Sequence, residues 1–335
     1  MNHSIDAEKL LKTMKDEKNS WLSGIMGVVV GDALGVPVEF CSREELEENP
    51  ITTMIGYGTY NQPEGTWSDD SSMTLATLDS IKNGYDLEDI MDNFVEWFRN
   101  GAYTPFGEVF DVGMTTATAI YQYEKEFDVR SCGELSERSN GNGSLMRIMP
   151  VCLYLIEEQK KRNLSEEEAI QMIHEVSGLT HNHLRSKIGC GLYYFITKAI
   201  VQEDGRLIEL VQKGLENGFS YYEEKLIDVS ELAYYERLRK VEQFRNISKE
   251  FIKSSGYVVD TLEAAIWCLL NTESYEECVL KAVNLGSDTD TVGAVVGGIA
   301  GLHYGYDTIP KEWLAVIKER EWIESLCKEE RCEMS

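Results

Sequence analysis

The chain has 335 residues, of which 43% are hydrophobic, so it can fill one large core or two smaller ones. Its 58 acidic residues outnumber 32 basic ones and give a formal net charge of −26. This balance argues against a nucleic-acid-binding surface and disfavours long anionic polymers as substrates. A small anionic ligand stays compatible with it if metal ions or helix N-termini receive the ligand.

The cellular setting is predicted from cysteines and from apolar stretches. Eight scattered cysteines form no C-x-x-C pair, which is typical of free thiols in a reducing cytoplasm. Residues 1–20 are charged and lack the apolar core of a signal peptide. The longest apolar stretch, residues 292–302, is too short to span a bilayer. We therefore expect a cytoplasmic protein without a membrane partner.

Helical periodicity dominates the chain from its first apolar stripe, residues 22–34. Gly24, Gly27 and Gly31 lie beside this stripe. Because glycine destabilises a helix interior, we expect these three to permit close contact with another helix. Further helices are predicted, in chain order, over residues 73–81, 90–98, 145–156, 166–176, 184–200, 207–215, 261–270, 275–283, 289–303 and 311–326.

Other secondary structure is scarce in the pattern. Residues 51–62 are rich in turn formers and hold a short hairpin at most. The charged segment 221–253 is predicted to be a solvated helical hairpin or insertion. No repeat or linker interrupts the chain, so we predict a single all-α domain over residues 1–335, with its core at about 20–326. Its functional residues are expected on loops at helix N-termini.

Two acidic clusters, residues 67–71 and 286–291, each lead directly into a predicted helix. Serine and aspartate in this position are ordinary helix N-caps. A cap needs one such residue, whereas each cluster carries two carboxylates, which repel each other unless a cation lies between them. Hard divalent cations prefer such oxygen ligands, and a pair of them is typical of hydrolases. Capping and metal binding are both open for Asp69, Asp70, Asp288 and Asp290.

Five loop-like segments follow one another in a distinctive order. They are Gly31-Asp32-Ala33-Leu34-Gly35 followed by Glu39, then residues 67–71, Phe110-Asp111-Val112-Gly113, residues 141–147 (G-N-G-S-L-M-R) and residues 286–294 (G-S-D-T-D-T-V-G-A). In this order they resemble the ADP-ribosylglycohydrolase family, which includes the dinitrogenase reductase-activating glycohydrolase. The resemblance extends from about residue 24 to about residue 305, and the last segment is its most specific part.

The resemblance implies an orthogonal all-α bundle with two Mg²⁺ or Mn²⁺ ions at the bottom of a cleft. The implied reaction is hydrolysis of the bond between ADP-ribose and a protein side chain or another acceptor. The family usually has T-D-D-T where this chain has S-D-D-S, so the hydroxyl is kept while affinity or metal preference can differ. The implied metal ligands are Ser68, Asp69, Asp70, Asp288, Asp290 and Thr291.

Two carboxylates are candidates for the acid–base step, because cleavage at an anomeric carbon needs a proton donor or a base beside the sugar. The family resemblance implies Glu39 for one branch and Asp111 for another. A solvated loop glutamate is the alternative for Glu39. For Asp32 the motif favours a role in fixing its turn or in orienting the metal ligands.

Substrate contacts are implied mainly for the loop at residues 141–147. Its glycines and the following helix N-terminus suit a phosphate or ribose cradle, although an ordinary turn at the start of a helix is the alternative. Arg147 is predicted to pair with a carboxylate or with phosphate, and an aromatic trio (Tyr103, Phe106 and Phe110) to stack on a base or to pack in the core. The implied substrate-binding residues are Asn142, Gly143, Ser144, Met146, His181, Gly286 and Ser287.

The leading hypothesis is therefore a hydrolase that reverses mono-ADP-ribosylation of a protein. Both housekeeping reversal and immunity against an ADP-ribosyltransferase toxin, as a partner, are compatible with the sequence. A non-catalytic ADP-ribose-binding or structural relative is one alternative. The other is a metal-dependent hydrolase of a different ADP-ribose conjugate, glycoside or phosphoester.

Overall fold

The computed structural model describes residues 20–226 and 229–328. Within these residues the chain forms helices and isolated bridges but no strand, so the all-α prediction is confirmed. The α-helices are α1 (20–35), α2 (Arg43–Glu48), α3 (Asp69–Lys82), α4 (Leu87–Asn100), α5 (Met114–Glu126), α6 (Met149–Arg162), α7 (Glu166–Gly178), α8 (Leu184–Gln202), α9 (Leu207–Lys225), α10 (Val241–Arg245), α11 (Val258–Leu270), α12 (Tyr275–Val283), α13 (Thr289–Tyr304), α14 (Lys311–Val316) and α15 (Arg320–Lys328).

Short 3-10 helices connect several of these elements. The 3-10 helices are Val36–Val38, Gly58–Tyr60, Glu137–Ser139, Glu231–Arg239, Lys249–Phe251 and Tyr306–Thr308. The predicted hairpin at residues 51–62 is reduced to one antiparallel bridge between Tyr57 and Gln62.

Predicted helices match observed ones except where tertiary contacts or weak propensity intervene. The prediction of one helix over residues 311–326 is wrong, because Lys318 N donates to Gly65 O at 3.1 Å and Glu319 has a φ of 48°, which separates α14 from α15. Helix α5 was absent from the prediction. Its first turns are rich in threonine, whose β-branched side chain lowers helix propensity and weakens the pattern.

The charged segment 221–253 is less solvated than its composition predicts. Leu232, Tyr235 and Leu238 in its 3-10 helix are buried. The Tyr235 hydroxyl donates to the backbone oxygen of Arg185 in α8 at 2.7 Å. The segment therefore packs on the α8–α9 pair while its charged residues face outward.

Helix α1 lies in the middle of the core. By length and composition, the segment Ser20–Val38 is long and apolar enough to cross a membrane. However, 89% of the 18-residue stretch that meets this criterion is buried inside the protein. Burial by neighbouring helices accounts for the apolar character of this segment without a membrane. In the sequence this segment does not stand out as an apolar stretch, because glycines and one aspartate interrupt its apolar residues.

A seam of glycines joins α1 to α13. A Cβ atom on Gly27 would lie 2.2 Å from the Gly297 oxygen, and one on Gly31 would lie 2.1 Å from the Gly293 oxygen. Only glycine allows two backbones to approach so closely, so the predicted close helix contact is confirmed. At the end of the seam a Cβ on Gly35 would lie 2.4 Å from the Asp290 Cα. The seam thus brings the C-terminal end of α1 against the first turn of α13, where the second acidic cluster lies.

Candidate metal centre

Three helix ends bring carboxylates together in the interior. Asp32 lies in the last turns of α1, Asp70 in the first turn of α3 and Asp290 in the first turn of α13. All three residues have an exposed fraction of 0%. Carboxylates are almost never fully buried without partners, so their convergence marks a built site rather than a solvated acidic surface.

Asp32 anchors the start of α3. Its carboxylate accepts hydrogen bonds from Ser68 N at 3.0 Å, Ser68 Oγ at 2.9 Å, Ser71 N at 2.9 Å and Ser71 Oγ at 2.5 Å. Burial raises the pKa of Asp32 to about 6, and these hydrogen bonds limit the rise. The residue therefore fixes the N-terminus of the helix that carries Asp69 and Asp70, as its motif predicted.

Three carboxylate oxygens in this region lack a hydrogen-bond partner within residues 20–226 and 229–328. They are Asp70 Oδ1, Asp288 Oδ1 and Asp290 Oδ2, and all three atoms are buried. A buried unpaired polar atom is costly, and native proteins rarely keep one without a ligand or water. Hard divalent cations take carboxylate oxygens as ligands, so these three atoms fit a metal centre.

The second oxygen of each of these carboxylates is held in place. Asp70 Oδ2 accepts from Ser68 Oγ at 3.1 Å and from Thr291 Oγ1 at 3.3 Å. Asp290 Oδ1 accepts from Thr291 N at 2.9 Å. Asp288 Oδ2 accepts from Asn142 Nδ2 at 2.8 Å. Each carboxylate is therefore oriented through one oxygen while the other is left for a ligand.

Carboxylate oxygens form two groupings that share one residue. In the first, atoms of Asp32, Asp70 and Asp290 lie within 4.8 Å of one another, and in the second, atoms of Glu39, Asp111 and Asp290 do so. The two groupings are adjacent, because Asp290 belongs to both. Asp70 and Asp290 were predicted as metal ligands, whereas the other three residues were predicted in other roles.

The carboxylates of this centre repel one another when they are charged. Burial, followed by the charges of Asp111 and Asp32, raises the pKa of Asp69 well above its usual value. Burial and neighbouring carboxylates, Asp32 first for Asp70 and Glu39 first for Asp290, raise the pKa of both residues in the same way. A divalent cation would offset this repulsion, which supports the metal interpretation of both acidic clusters.

The two predicted acid–base carboxylates lie side by side at the edge of this centre. Glu39 is only 5% exposed, and its Oε2 accepts a hydrogen bond from the Tyr60 hydroxyl at 2.5 Å. Burial and the nearby Asp111 raise the pKa of Glu39 to about 8. Burial also raises the pKa of Asp111, which has a carboxylate oxygen within 4.8 Å of those of Glu39 and Asp290. The solvated-loop alternative for Glu39 is wrong, because this side chain is buried.

The loop at residues 141–147 is tied to the acidic cluster of α13 through Asn142. Its backbone nitrogen donates to Gly256 O at 3.0 Å, and its side chain also donates to Thr261 Oγ1 at 2.9 Å. Together with the bond to Asp288, these contacts fix the loop against the start of α11. The structure thus brings Asn142 to the metal centre, where it orients a carboxylate.

Two residues of the predicted cradle place their side chains in the core. Ser144 is 0% exposed, and its Oγ accepts a hydrogen bond from Ser177 Oγ at 3.0 Å. Met146 belongs to the hydrophobic core, and its backbone oxygen accepts from Thr74 Oγ1 at 3.3 Å. Their contribution to ligand binding stays a prediction.

His181 and Arg147 lie beneath this loop. His181 Nδ1 is 2.8 Å from Thr180 Oγ1, and a Cβ on Gly143 would lie 2.8 Å from the histidine Cε1. Burial and the nearby Arg147 lower the pKa of His181 to about 3, so the ring is neutral. Arg147 is fully buried and donates to Gly143 O and to Thr180 Oγ1. It therefore supports the loop through these oxygens, and it forms no ion pair with a carboxylate of residues 20–226 and 229–328.

Gly286 and Ser287 bind the chain segment that follows Glu39. Phe40 N donates to Ser287 O at 2.7 Å, and Ser287 N donates to Cys41 O at 2.8 Å. Gly286 has a φ of 76°, and Ser287 has a φ of 68°, a conformation that non-glycine residues rarely adopt. Beside this pairing lies a cavity of about 560 Å³, lined in part by Phe40, Ser287 and Ser254. Their predicted substrate contacts are compatible with this position.

The aromatic candidates divide between packing and the site. The Tyr103 hydroxyl donates to Asp79 at 2.8 Å, and Phe106 is 53% exposed. Phe110 packs on Tyr60 with ring centroids 5.0 Å apart. Sequence analysis missed Tyr60, because no spacing or motif connects it with Glu39.

Fold and site together define an all-α protein with a buried centre of carboxylates that can hold divalent cations, with the carboxylates of Glu39 and Asp111 at its edge. The family model for ADP-ribosylglycohydrolase matches residues 14–334. This chain therefore belongs to the ADP-ribosylglycohydrolase family, and the recognition made from its motifs is confirmed.

Individual relatives agree with this assignment. The chain is 32% identical over 307 residues to the ADP-ribosylarginine hydrolase Tri1 of Serratia proteamaculans strain 568, covering 91% of this chain and 77% of that protein. It is 30% identical over 300 residues to the ADP-ribosyl-(dinitrogen reductase) glycohydrolase of Rhodospirillum rubrum, with 88% of both chains covered. A solved ADP-ribosylglycohydrolase-related protein complex superimposes with a TM-score of 0.75 at 27% identity, over 94% of this chain and 97% of that one.

Proposed function

We propose that this protein hydrolyses the glycosidic bond between ADP-ribose and a protein side chain, and that the bond to arginine is its main substrate. One observation carries the proposal: the unpaired oxygens of Asp70, Asp288 and Asp290 lie in one site with the buried Glu39 and the half-buried Asp111. Family membership supports hydrolysis of the ADP-ribose linkage. The arginine linkage is favoured by two relatives named ADP-ribosylarginine hydrolase, from Serratia proteamaculans and Pseudomonas putida.

The chain offers a ligand set for two divalent cations, Mg²⁺ or Mn²⁺. A bound pair supplies positive charge and Lewis acidity where the ribose and the attacking water meet. Ser68 and Thr291 hold Asp70 in place, and Asn142 holds Asp288. The residues that would hold the cations are Ser68, Asp69, Asp70, Asp288, Asp290 and Thr291.

Glu39 and Asp111 divide the proton transfers. The reaction breaks the bond between the anomeric carbon and the acceptor nitrogen, and positive charge develops on the ribose ring. Burial and the nearby Asp111 raise the pKa of Glu39 to about 8 in the cation-free protein, which suits Glu39 to deliver a proton to the leaving group. Asp111, which is less buried, is suited to accept the proton of the attacking water. The negative charge of Asp111 also suits a cationic guanidinium substrate.

The test is release of ADP-ribose from defined conjugates by the purified protein. We expect release from arginine-linked ADP-ribose with Mg²⁺ or Mn²⁺, no release after chelation, and slower release from serine-linked or nucleic-acid-linked ADP-ribose. Asp290→Asn is the matched inactive control. Asp290 belongs to both groupings of carboxylates, and the substitution replaces only one of its carboxylate oxygens, by an amide nitrogen. Absence of release from all three conjugates would sink the proposal.

The biological context proposed is the cytoplasm, with an ADP-ribosyltransferase toxin as a partner whose modification this protein reverses. The formal charge of −26 suits a basic protein partner. Co-purification with a transferase at low salt that is lost at high salt would support the partnership. A protein that removes the modification without binding the transferase would have the hydrolase role alone.

A further inference from the structure

The turn that carries Tyr60 is built onto the backbone that carries Glu39. Thr59 Oγ1 donates to the Glu39 backbone oxygen at 2.7 Å. A Cβ on Gly58 would lie 1.9 Å from the Pro37 oxygen, so the 3-10 helix Gly58–Tyr60 is in close contact with the 3-10 helix Val36–Val38. The two segments therefore form one rigid unit.

The same turn contains residues in unfavourable backbone conformations. Tyr57 has a φ of 69° and Asn61 a φ of 53°, on either side of the 3-10 helix. Left-handed backbone conformations cost non-glycine residues free energy and cluster where a side chain must be held in a particular place. Between them, Tyr60 is the residue whose side chain enters the site.

The Tyr60 hydroxyl holds one of the two candidate acid–base carboxylates beside the other. It donates to Glu39 Oε2 at 2.5 Å, and carboxylate oxygens of Glu39, Asp111 and Asp290 lie within 4.8 Å of one another. Burial and the bond to Glu39 raise the pKa of Tyr60, so the hydroxyl keeps the proton that it donates. A phenol has a single proton, and Tyr60 donates it to Glu39.

Neighbouring rings hold the phenol in position. The Tyr60 ring lies 5.0 Å from that of Phe110 and 6.5 Å from that of Phe40, both tilted. Phe110 directly precedes Asp111, and Phe40 directly follows Glu39. Each carboxylate is therefore adjacent in sequence to a ring that packs on Tyr60.

We infer that Tyr60 is a positioning residue for hydrolysis: its hydroxyl fixes the orientation of Glu39 beside Asp111, and so directs Glu39 Oε1 to the reacting atoms. The inference rests on the proposed hydrolase function. It predicts that loss of the hydroxyl slows the chemical step without weakening ligand binding. The ring itself supplies packing and no proton to the substrate.

The experiment compares Tyr60→Phe with the wild-type protein on the conjugate that the wild type hydrolyses. We expect kcat to fall by about threefold to tenfold, as for loss of one hydrogen bond between neutral groups, with KM changed less than about twofold. ADP-ribose affinity by calorimetry should stay within about twofold as well. Tyr57→Phe is the matched control on the same turn, because Tyr57 is 62% exposed, and it should keep wild-type kcat.

A double-mutant cycle with Glu39→Gln tests whether Tyr60 acts through Glu39. If it does, Tyr60→Phe will lower kcat little further in the Glu39→Gln background, because residues acting as a unit are not additive. Three outcomes would each overturn the inference. Tyr60→Phe could keep the wild-type kcat, or it could change KM alone. In the third, the factor by which Tyr60→Phe lowers kcat would be the same in the Glu39→Gln background as in the wild type. An inactive wild-type protein would instead contradict the proposed function, so the two failures are distinguishable.

Discussion

Replacing Gly31 by alanine should force α1 away from α13. The added Cβ would lie 2.1 Å from the oxygen and 2.6 Å from the carbonyl carbon of Gly293. Ordinary contact begins at 3.4 Å, so the backbones must part by about 1.3 Å, the difference between 3.4 and 2.1 Å. Both opposing atoms are main-chain atoms that no rotamer change can move.

The expected cost follows from two opposing effects. Overpacking a core typically costs about 1–3 kcal/mol, and a clash with backbone belongs at the upper end of that range. Alanine gains about 1 kcal/mol over glycine in a helix interior. The free energy of unfolding should therefore fall by about 2 kcal/mol in Gly31→Ala. Divalent-cation affinity should fall too, because Asp32 and Asp290 flank the displaced contact.

Urea unfolding of the two proteins without cations measures the stability change, and titration with Mg²⁺ measures the affinity. Gly24→Ala is the control on the same helix, because its Cβ would lie 3.2 Å from Leu302 Cδ2, the end of a flexible side chain. We expect this control to change stability by less than about 0.5 kcal/mol, since the clash and the propensity gain nearly cancel. Equal stability of Gly31→Ala and wild type would refute the seam argument.

The remaining predictions concern the site. Asp290→Asn should abolish both turnover and the rise in melting temperature caused by Mg²⁺, whereas Asp307→Asn at an exposed position should keep both. Glu39→Gln and Asp111→Asn should each lower kcat by about a hundredfold with little change in ADP-ribose affinity, as measured by single-turnover kinetics and calorimetry. Without cations, burial and Asp111 raise the pKa of Glu39 to about 8, so the folded state binds this proton more tightly than the unfolded state does. The contribution of Glu39 to stability is therefore complete below about pH 4 and is lost as pH rises to about 8, so Glu39→Gln should stabilise the cation-free protein more at pH 8 than at pH 5 in urea unfolding. Asn142→Ala removes the 2.8 Å bond to Asp288 and should weaken Mg²⁺ binding by about tenfold on titration, and unchanged affinity would contradict its orienting role.

Much of the fold was predictable because its signals are local. The predicted bounds of α12 coincide with the observed Tyr275–Val283, since a serine cap and an apolar stripe define that helix within its own sequence. The glycines of α1 indicated close packing, but not the partner, because α13 lies far away in sequence. The break between α14 and α15 depends on a contact with Gly65, which no local pattern reveals.

The candidate site was predictable where the sequence itself clusters the residue type that the chemistry needs. Clustered aspartates before a helix indicated the metal centre, and the structure brings Asp70 and Asp290 together as expected. Tyr60 and the buried surroundings of Arg147 could not be foreseen, because both depend on how loops cross in three dimensions. Sequence spacing reports which face of a helix a residue occupies, not which distant loop it will meet.

The glycine seam also has a consequence for biosynthesis. Asp70 leaves the ribosome 220 residues before Asp290, and Gly31 meets Gly293 only after the chain has closed across nearly its whole length. Contacts of such long sequence separation form late and slowly. A nascent or truncated chain that lacks α13 therefore lacks Asp290 and Thr291, two of the six residues proposed to hold the cations.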